Sequence, residues 1–443
     1  MSLPRYPKYK DSSVAWLGEV PAHWVCVRLA TLFREVNEPG NDDMPVLSVS
    51  IHDGVSDREL DENEMERKVT RSEDRAKYKA VAPGDLTYNM MRAWQGGFGT
   101  VTVCGMVSPA YVVARPMRDF LTSHIEMLLR TPMAISEIKR YSRGITDFRL
   151  RLYWEDFKGL QIALPPLAEQ LAIASFLVRE TGKIDALIAE QKELLSLLAE
   201  KRQATISHAV TRGLNPSAPM KESGVAWLGE VPTHWEVKPL RYCIDFQEGP
   251  GILAVDFHDE GVPLLRVSGV QQYWANLEGC NYLDPEKVTE KWGHFRVEKE
   301  DLLISASASM GTVCEVGDEV VGAIPYTGLI RLRGVPGEMT KGFIRHLAIS
   351  SQFSVQIELL KAGATIQHFG PTHLSQMLVA KPPTEEQGRI SEFVDSELLK
   401  LDTLKAEVEH AIDLLTERRS ALITAAVTGK IDVRNAVPQE LAA

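Results

Sequence analysis

Two stretches of this chain are nearly identical, and they constrain the fold more than any other feature. VAWLGEVPAHW at 14–24 returns as VAWLGEVPTHW at 225–235, with Thr233 in place of Ala22. A longer pair follows, because 165–211 aligns without gaps with 382–428 and shares 21 of 47 positions. Repeated segments of this kind indicate a duplicated structural unit. The sequence therefore predicts a tandem duplication: a marker, a variable region and a long repeat, followed by the same three again.

Each long repeat has the pattern of an amphipathic helix. Apolar residues recur at three- and four-residue steps, and Gly213 and Gly429 follow where such a helix would stop. In the second copy Thr384 stands three residues before Gln387, the spacing of a capping box. A helix of ~40 residues with one apolar stripe needs a long partner, so we expect the two copies to pack together. The core positions predicted for this contact are Ile184, Leu187, Leu198, Leu401, Leu404 and Leu415.

The variable regions between the repeats read as mixed strand and loop. Strand-like stretches at 46–51, 111–114, 264–270, 301–305 and 329–333 alternate with Gly, Pro and Asn/Asp. We therefore expect two α+β domains of about 150 residues each. The predicted boundaries are 1–163 for the first domain, 164–213 for its long helix, 214–380 for the second domain, 381–432 for its long helix, and 433–443 for a disordered tail.

Composition favours a cytoplasmic protein that does not cross a membrane. The start, MSLPRYPKYK, has no apolar core typical of a signal peptide, and no apolar run is long enough for a membrane-spanning helix. The five cysteines are scattered and never spaced as C-x-x-C, which argues against a disulfide framework or a structural zinc. The net charge of −11 argues against indiscriminate nucleic-acid binding. Basic runs at 67–79 and 139–158 still allow local basic contact surfaces.

No pattern for catalysis is present. The sequence lacks the phosphate loop G-x-x-x-x-G-K-[ST] and the zinc motif H-E-x-x-H, and its eleven histidines never cluster at metal-ligand spacing. His23 and His234, inside the short repeat, are expected to hydrogen-bond a turn. We therefore expect a protein that is not an enzyme and that binds no metal.

The polar loops of the variable regions carry side chains suited to base edges. Arginine pairs well with guanine, asparagine and glutamine pair with adenine, and the smaller polar side chains adapt to either. Ordinary turn chemistry remains the alternative for each loop. The candidate DNA contacts are Arg71, Lys77, Asn89, Arg92, Gln95, Arg143, Arg149 and Arg151 in the first half, and Arg266, Ser268, Gln271, Lys291, His294, Ser307 and Gln367 in the second.

The ordered set of motifs resembles the specificity subunit of type I restriction–modification systems. It consists of YPKYKDSSVAWLGEVPAHW and its copy KESGVAWLGEVPTHW, of VSPAYVV at 107–113, and of LPPLAEQ and KPPTEEQ at the helix entrances. The resemblance covers nearly the whole chain. It implies two α+β target-recognition domains, each followed by a long helix, with the helices packed as an antiparallel coiled coil of pseudo-two-fold symmetry. Each domain would read one half of a bipartite, asymmetric double-stranded DNA site.

The resemblance also implies partners. Two copies of a modification subunit would dock on this chain and methylate adenine with S-adenosylmethionine. Where a system has restriction subunits, two of them would join and use ATP and magnesium, and this chain would bind no cofactor itself. The alternative is a coiled-coil scaffold or adaptor whose variable domains bind protein.

Aromatic residues beside Gly and Pro suit a packed corner, so we predict that Trp16, Trp24, Trp227 and Trp235 seat each domain on the helices.

Overall fold

The chain divides into two compact units, each with one variable region and part of both long repeats. A computed structural model describes residues 3–60, 77–144, 150–271, 273–306, 311–361 and 369–436. The first unit is Met1–Gln191 with His410–Ala443, and the second is Lys192–Glu409. In the described part of the chain, no helix is both long and apolar enough to cross a membrane.

The first unit is built around a four-stranded antiparallel sheet. Its strands are β1 (Tyr9–Asp11), β2 (Glu19–Pro21), β3 (Val25–Arg28), β4 (Phe33–Val36), β5 (Val49–Ser50), β6 (Gly54–Val55), β7 (Lys79–Val81), β8 (Leu86–Asn89), β9 (Phe98–Thr100), β10 (Gly105–Val107), β11 (Tyr111–Pro116) and β12 (Gln161–Leu164). Its helices are α1 (Thr122–Leu129), α2 (Pro132–Tyr141), α3 (Trp154–Phe157) and the first part of α4 (Leu167–Arg212). The central sheet has the order β4-β11-β8-β9, and β3 pairs with β12 beside it.

The second unit repeats this plan. Its strands are β13 (Met220–Glu222), β14 (Glu230–Pro232), β15 (Glu236–Pro239), β16 (Ile244–Glu248), β17 (Val262–Leu265), β18 (Asn281–Leu283), β19 (Leu302–Ser305), β20 (Val313–Glu315), β21 (Ile324–Pro325), β22 (Leu329–Gly334) and β23 (Leu378–Lys381). Its helices are α5 (Pro285–Lys287), α6 (Lys341–Ala348), α7 (Ser351–Lys361), α8 (Pro371–Gln376) and the first part of α9 (Thr384–Val427). Its central sheet, β16-β22-β19-β20, and its β15–β23 pair match those of the first unit. The predicted duplication thus extends to regions whose sequences have diverged, and the α+β class is confirmed.

Two of the predicted strands are shorter than the sequence suggests. Of 46–51, only Val49–Ser50 forms a strand, and 264–270 leaves the strand after Leu265 for a 3₁₀ turn at 267–269. Glycine is required at position 269 of this turn, because an added Cβ would lie 2.3 Å from the carbonyl oxygen of Asn276. The strands predicted at 111–114, 301–305 and 329–333 are confirmed.

The two long helices pack together and run antiparallel. In the first unit Ile173 near the start of α4 shares a core with Val427 at the end of α9. In the second unit Val210 near the end of α4 shares a core with Ile390 near the start of α9. Both helices stop at a left-handed glycine, since φ is 72° at Gly213 and 71° at Gly429, as predicted.

The predicted helix–helix core is correct at some positions and wrong at others. Ile184 and Leu401 are buried, and Leu198 and Leu415 are half-buried. Leu187 and Leu404 are 45% and 47% exposed, so their assignment to the core is wrong. Two helices bury only a narrow seam between them, and these two leucines fall on its flank, three residues after the buried positions.

The end of the chain is packed as far as residue 436. Val433 is fully buried, the backbone nitrogen of Asp432 donates to the Pro4 carbonyl oxygen at 2.8 Å, and the guanidinium of Arg434 binds the Asp432 carboxylate at 2.6 Å. The prediction of a disordered tail is therefore wrong for 433–436, because this segment docks on the start of the chain. Residues 437–443 lie outside the described residues.

Each unit also contains a buried carboxylate clamped by an arginine. Asp85 is 2% exposed, and its two oxygens accept from Nε and Nη2 of Arg115 at 3.0 and 2.9 Å. In the second unit Arg333 binds the buried Asp301 in the same two-pronged way. Each carboxylate leads into a central strand of its sheet, β8 or β19. The clamp therefore fastens the central strand to its neighbour, β11 or β22.

A buried histidine predicts a pH dependence of the first unit. His124 is the third residue of α1, and its ring nitrogens are buried without a hydrogen-bond partner among the described residues. Burial lowers the pKa of this ring to about 4. In the unfolded chain this histidine takes up a proton near pH 6.5, whereas in the folded chain it stays neutral. Its protonation therefore does not reduce the free energy of unfolding above pH 6.5. The free energy of unfolding falls by roughly 3 kcal/mol as the pH drops from 6.5 to 4.

The second unit supplies the matched variant for this prediction. The third residue of α6 is Phe343, also fully buried. We therefore expect His124→Phe to slow hydrogen–deuterium exchange of 122–129 at pH 5 relative to the wild type, and to leave it nearly unchanged at pH 7.5. An equal difference at both pH values would contradict the assignment to histidine protonation.

Candidate nucleic-acid interface

In the first unit a tight turn and a short antiparallel bridge lie side by side. The turn spans 89–97 between β8 and β9, and the bridge joins residues 143 and 151 through two backbone hydrogen bonds of 2.9 Å. The backbone nitrogen of Leu152 donates to the Met90 carbonyl oxygen at 2.9 Å and fastens the bridge to the turn. The structure thereby brings together five of the predicted contacts: Asn89, Arg92, Gln95, Arg143 and Arg151.

These five side chains are not equally available. Gln95, Arg143 and Arg151 are exposed, and the Arg143 guanidinium binds the Asp156 carboxylate at 2.5 Å. Arg92 is half-buried. The Oδ1 atom of Asn89 accepts from the backbone nitrogen two residues on, at 3.0 Å, so this oxygen serves the turn. The remaining first-half candidates lie elsewhere: Lys77 is exposed just before β7, and Arg71 and Arg149 fall outside the described residues.

In the second unit Arg266 follows β17 and lies against two aromatic rings. Its guanidinium carbon is 4.0 Å from the ring centre of Tyr326 and 5.8 Å from that of Phe257. Cation–π contact with both rings holds the guanidinium in one orientation. Its Nη1 atom is buried and has no hydrogen-bond partner among the described residues.

The other second-half candidates divide into two groups. Ser268 and Gln271 donate to carbonyl oxygens of their own loop at 2.7 and 2.8 Å, as ordinary turn residues do. Lys291 and His294 are exposed on two short turns. Next to these two residues in sequence are Trp292 and Phe295, which pack in the same apolar cluster as Phe257 and Tyr326. The three candidates Arg266, Lys291 and His294 are therefore all attached to this one cluster. Ser307 and Gln367 lie outside the described residues.

A buried glutamate at the start of α4 links the short repeat to the long repeat in the first unit. Glu169, 5% exposed, accepts from Trp24 Nε1 at 2.9 Å and from the Tyr6 hydroxyl at 2.5 Å, and it pairs with His23 Nε2 at 2.6 Å. Burial raises the pKa of the Tyr6 hydroxyl far above its usual range, so this hydroxyl remains a donor. We call this arrangement of histidine, tryptophan and glutamate the latch.

The second unit has the same latch at the start of α9. Glu386 pairs with His234 Nε2 at 2.7 Å and accepts from Trp235 Nε1 at 3.1 Å. The histidines and tryptophans were predicted from the sequence, and both glutamates were not. The sequence contains a signal for these glutamates, because the motifs W-x-x-x-x-x-x-H-W and P-P-x-x-E-Q occur together in both halves and their polar residues are complementary.

The glutamine after each of these glutamates fastens the domain to the helix. Gln170 donates to the Pro165 carbonyl oxygen at 2.8 Å and accepts from the backbone nitrogen of Leu121 at 2.8 Å. Gln387 does the same, with the Pro382 carbonyl oxygen at 2.9 Å and the backbone nitrogen of Thr340 at 2.7 Å. The predicted capping box at Thr384 is therefore wrong, because this fully buried amide satisfies backbone groups of the domain.

The four tryptophans of the short repeat occupy two kinds of position. Trp24 and Trp235 are fully buried in the latches, at the starts of the long helices. Trp16 and Trp227 are half-buried against the same cores, and Trp16 Nε1 donates to the Gln161 carbonyl oxygen at 3.2 Å. Among the described residues, no three or more His, Cys, Asp or Glu side chains could together hold a metal ion.

Comparison of sequences points to one class of protein. No family model matches the chain. It is 24% identical over 283 residues to the type I restriction enzyme MjaVIII specificity subunit of Methanocaldococcus jannaschii, covering 63% of this chain and 64% of that relative. It is 23% identical over 452 residues to the putative MjaX specificity subunit of the same organism, covering 98% and 99%. With the EcoKI specificity subunit of Escherichia coli it shares 26% over 224 residues, 48% and 47% of the two chains.

Comparison of structures agrees with the fold. The chain superposes with a TM-score of 0.69 on a chain from a study of assembly and conformational transition of the type I R-M system, at 16% identity, covering 92% of this chain and 98% of that one. With the HsdS subunit from Thermoanaerobacter tengcongensis the TM-score is 0.54 at 16% identity, covering 93% and 98%. In its repeated motifs, in its sequence over nearly its full length and in its fold, this chain resembles the specificity subunits of type I restriction–modification systems.

Proposed function

We propose that this chain is the DNA sequence-recognition subunit of a type I restriction–modification complex. Each unit reads one half of a bipartite, asymmetric site in double-stranded DNA. The chain itself performs no catalysis. Two copies of a modification subunit dock on it and methylate adenine with S-adenosylmethionine. Where the system includes two restriction subunits, these use ATP and magnesium to cleave.

A constant frame with two different polar faces is the observation that supports this proposal. Both units share the same central sheet, the same carboxylate clamp and the same latch. The first unit presents the turn 89–97 with Arg143 and Arg151, whereas the second presents Arg266 on aromatic rings with Lys291 and His294. A protein that reads two unlike half-sites needs this combination.

The acidic charge is compatible with this function. A net charge of −11 disfavours sequence-independent attachment by the whole surface. Phosphate contacts position a protein on DNA, and base contacts specify the sequence. Modification subunits that grip most of the phosphates would leave this chain with the local base contacts and the few phosphates beside them. The latches are proposed to seat each domain on the helices in that assembly.

An exchange of domains tests the proposal. The chain is assembled with its modification subunit and footprinted on DNA, and residues 221–380 are then replaced by the corresponding segment of a relative. We expect one half-site to change and the other to remain. The unchanged half is the internal control, and a change in both halves would contradict the modular function. Absence of any sequence-selective footprint would favour the scaffold alternative, and methyl transfer by the purified chain alone would favour an enzyme.

A further inference from the structure

One exposed side chain at the turn 89–97 of the first unit was not among the sequence candidates. Met91 is 46% exposed. A large apolar side chain that is isolated on a surface is common and needs no explanation. This one differs because the turn that carries it is held on several sides.

The backbone of Met91 is fixed on both sides by neighbouring side chains. Its nitrogen donates to Asn89 Oδ1 at 3.0 Å, and its carbonyl oxygen accepts from Trp94 Nε1 at 3.0 Å. Gly96 closes the turn with φ of 87°, and an added Cβ there would lie 3.3 Å from the side chain of Ile135 in α2. Asn89, which the sequence suggested as a base contact, thus holds the backbone of Met91 together with Trp94.

The turn that carries Met91 is fastened to a bridge that carries two arginines. The neighbouring Met90 is fastened to the bridge in which Arg143 and Arg151 lie directly opposite each other. Like charges opposite each other across a strand pair disfavour folding, and an anion placed between them relieves the repulsion. Both arginines are exposed, and Arg143 pairs with the Asp156 carboxylate at 2.5 Å. The turn thus presents an apolar side chain, and the bridge fastened to it carries two arginines; in a DNA groove, cations contact the phosphates and apolar groups contact the thymine methyl on the base edge.

Resting on the proposed function, we infer that Met91 is a specificity-determining residue that packs on the C5 methyl group of a thymine in the major groove of the first half-site. This methyl is the apolar mark that the major groove offers on an A·T pair. The first half-site therefore contains at least one thymine whose methyl group contributes to binding. Arg143 and Arg151 then act on the neighbouring phosphates.

Deoxyuridine substitution tests this inference, since it removes only the methyl group. Each thymine of the first half-site is replaced singly, and the affinity of the complex assembled with its modification subunit is measured. We expect a loss of about fourfold at one position, the effect of one buried methyl group. In Met91→Ala this difference between thymine and deoxyuridine should disappear, and in Met91→Leu it should remain. Substitutions in the second half-site should behave alike in all three proteins.

Met117→Ala is the matched control. Met117 is 50% exposed in the same unit but follows β11, outside the turn, so this variant should keep the thymine preference. The inference is overturned if the first half-site is protected yet shows no thymine preference, or if Met91→Ala keeps that preference. Both results leave the proposed function standing. Loss of all protection in the wild-type complex would instead overturn the proposed function, and the inference with it.

Discussion

Replacing Trp24 with alanine is expected to cost the first unit about 3–5 kcal/mol of its free energy of unfolding. The indole is fully buried, and it donates to Glu169 at 2.9 Å. Its ring also packs beneath the end of α9, where an added Cβ on Gly429 would lie 3.1 Å from it. Truncation would leave a large cavity and would also remove one hydrogen-bond donor from the buried Glu169 carboxylate. Urea denaturation with hydrogen–deuterium exchange would measure the loss and locate it.

A graded series separates packing from hydrogen bonding in the latch. Trp24→Phe keeps an aromatic ring and removes the N–H group, so we expect a smaller cost of about 1–3 kcal/mol. Trp235→Ala should place the large loss in the second unit, where Trp235 is equally buried. If Trp24→Ala unfolded no more readily than the wild type, the latch would have no part in joining the domain to the helices.

Arg115→Ala is expected to be comparably damaging, at about 3–5 kcal/mol, because it leaves the Asp85 carboxylate buried without its counter-charge. Both oxygens of Asp85 accept from this guanidinium, and one also accepts from the backbone nitrogen of Ala82 at 2.9 Å. The loss should appear as increased exchange in β8 and β11, which the clamp joins. The measurement is urea denaturation at pH 7.5.

The same guanidinium supplies its own control. Arg115 also binds Glu38 at 2.9 Å, but the side chain of Glu38 is 56% exposed. Exposed ion pairs contribute little, so Glu38→Ala should cost no more than about 1 kcal/mol. Equal effects of the two substitutions would show that burial of Asp85 does not determine the energetics of this cluster.

The repeats made the architecture predictable from the sequence, because the residue pattern of each repeated segment by itself indicates a local structure. Three-and-four periodicity predicted both long helices, and Gly213 and Gly429 marked their ends. The flank leucines, Leu187 and Leu404, were misassigned because periodicity defines a face and not the width that a partner covers. The sheet could be predicted only as a class, since strand order depends on pairings between segments far apart in sequence.

The polar face of the first unit could be predicted only in part from the sequence. Residue type identified Arg143 and Arg151, and the structure places them opposite each other. Residue type also favoured Asn89, whose amide oxygen serves the backbone of the turn, and passed over Met91, whose exposure depends on how the turn is held. Which side chain a turn uses internally and which it presents depends on its three-dimensional geometry.

The division of the long helices between the two units has a consequence for the order of folding during synthesis. The second unit is a continuous segment, Lys192–Glu409, whereas the first combines the beginning of the chain with its last residues. The Tyr9 hydroxyl, for example, donates to the Gly429 carbonyl oxygen across 420 positions. Residues 192–409 leave the ribosome before 410–436, so the second unit can fold while the first still lacks part of its core.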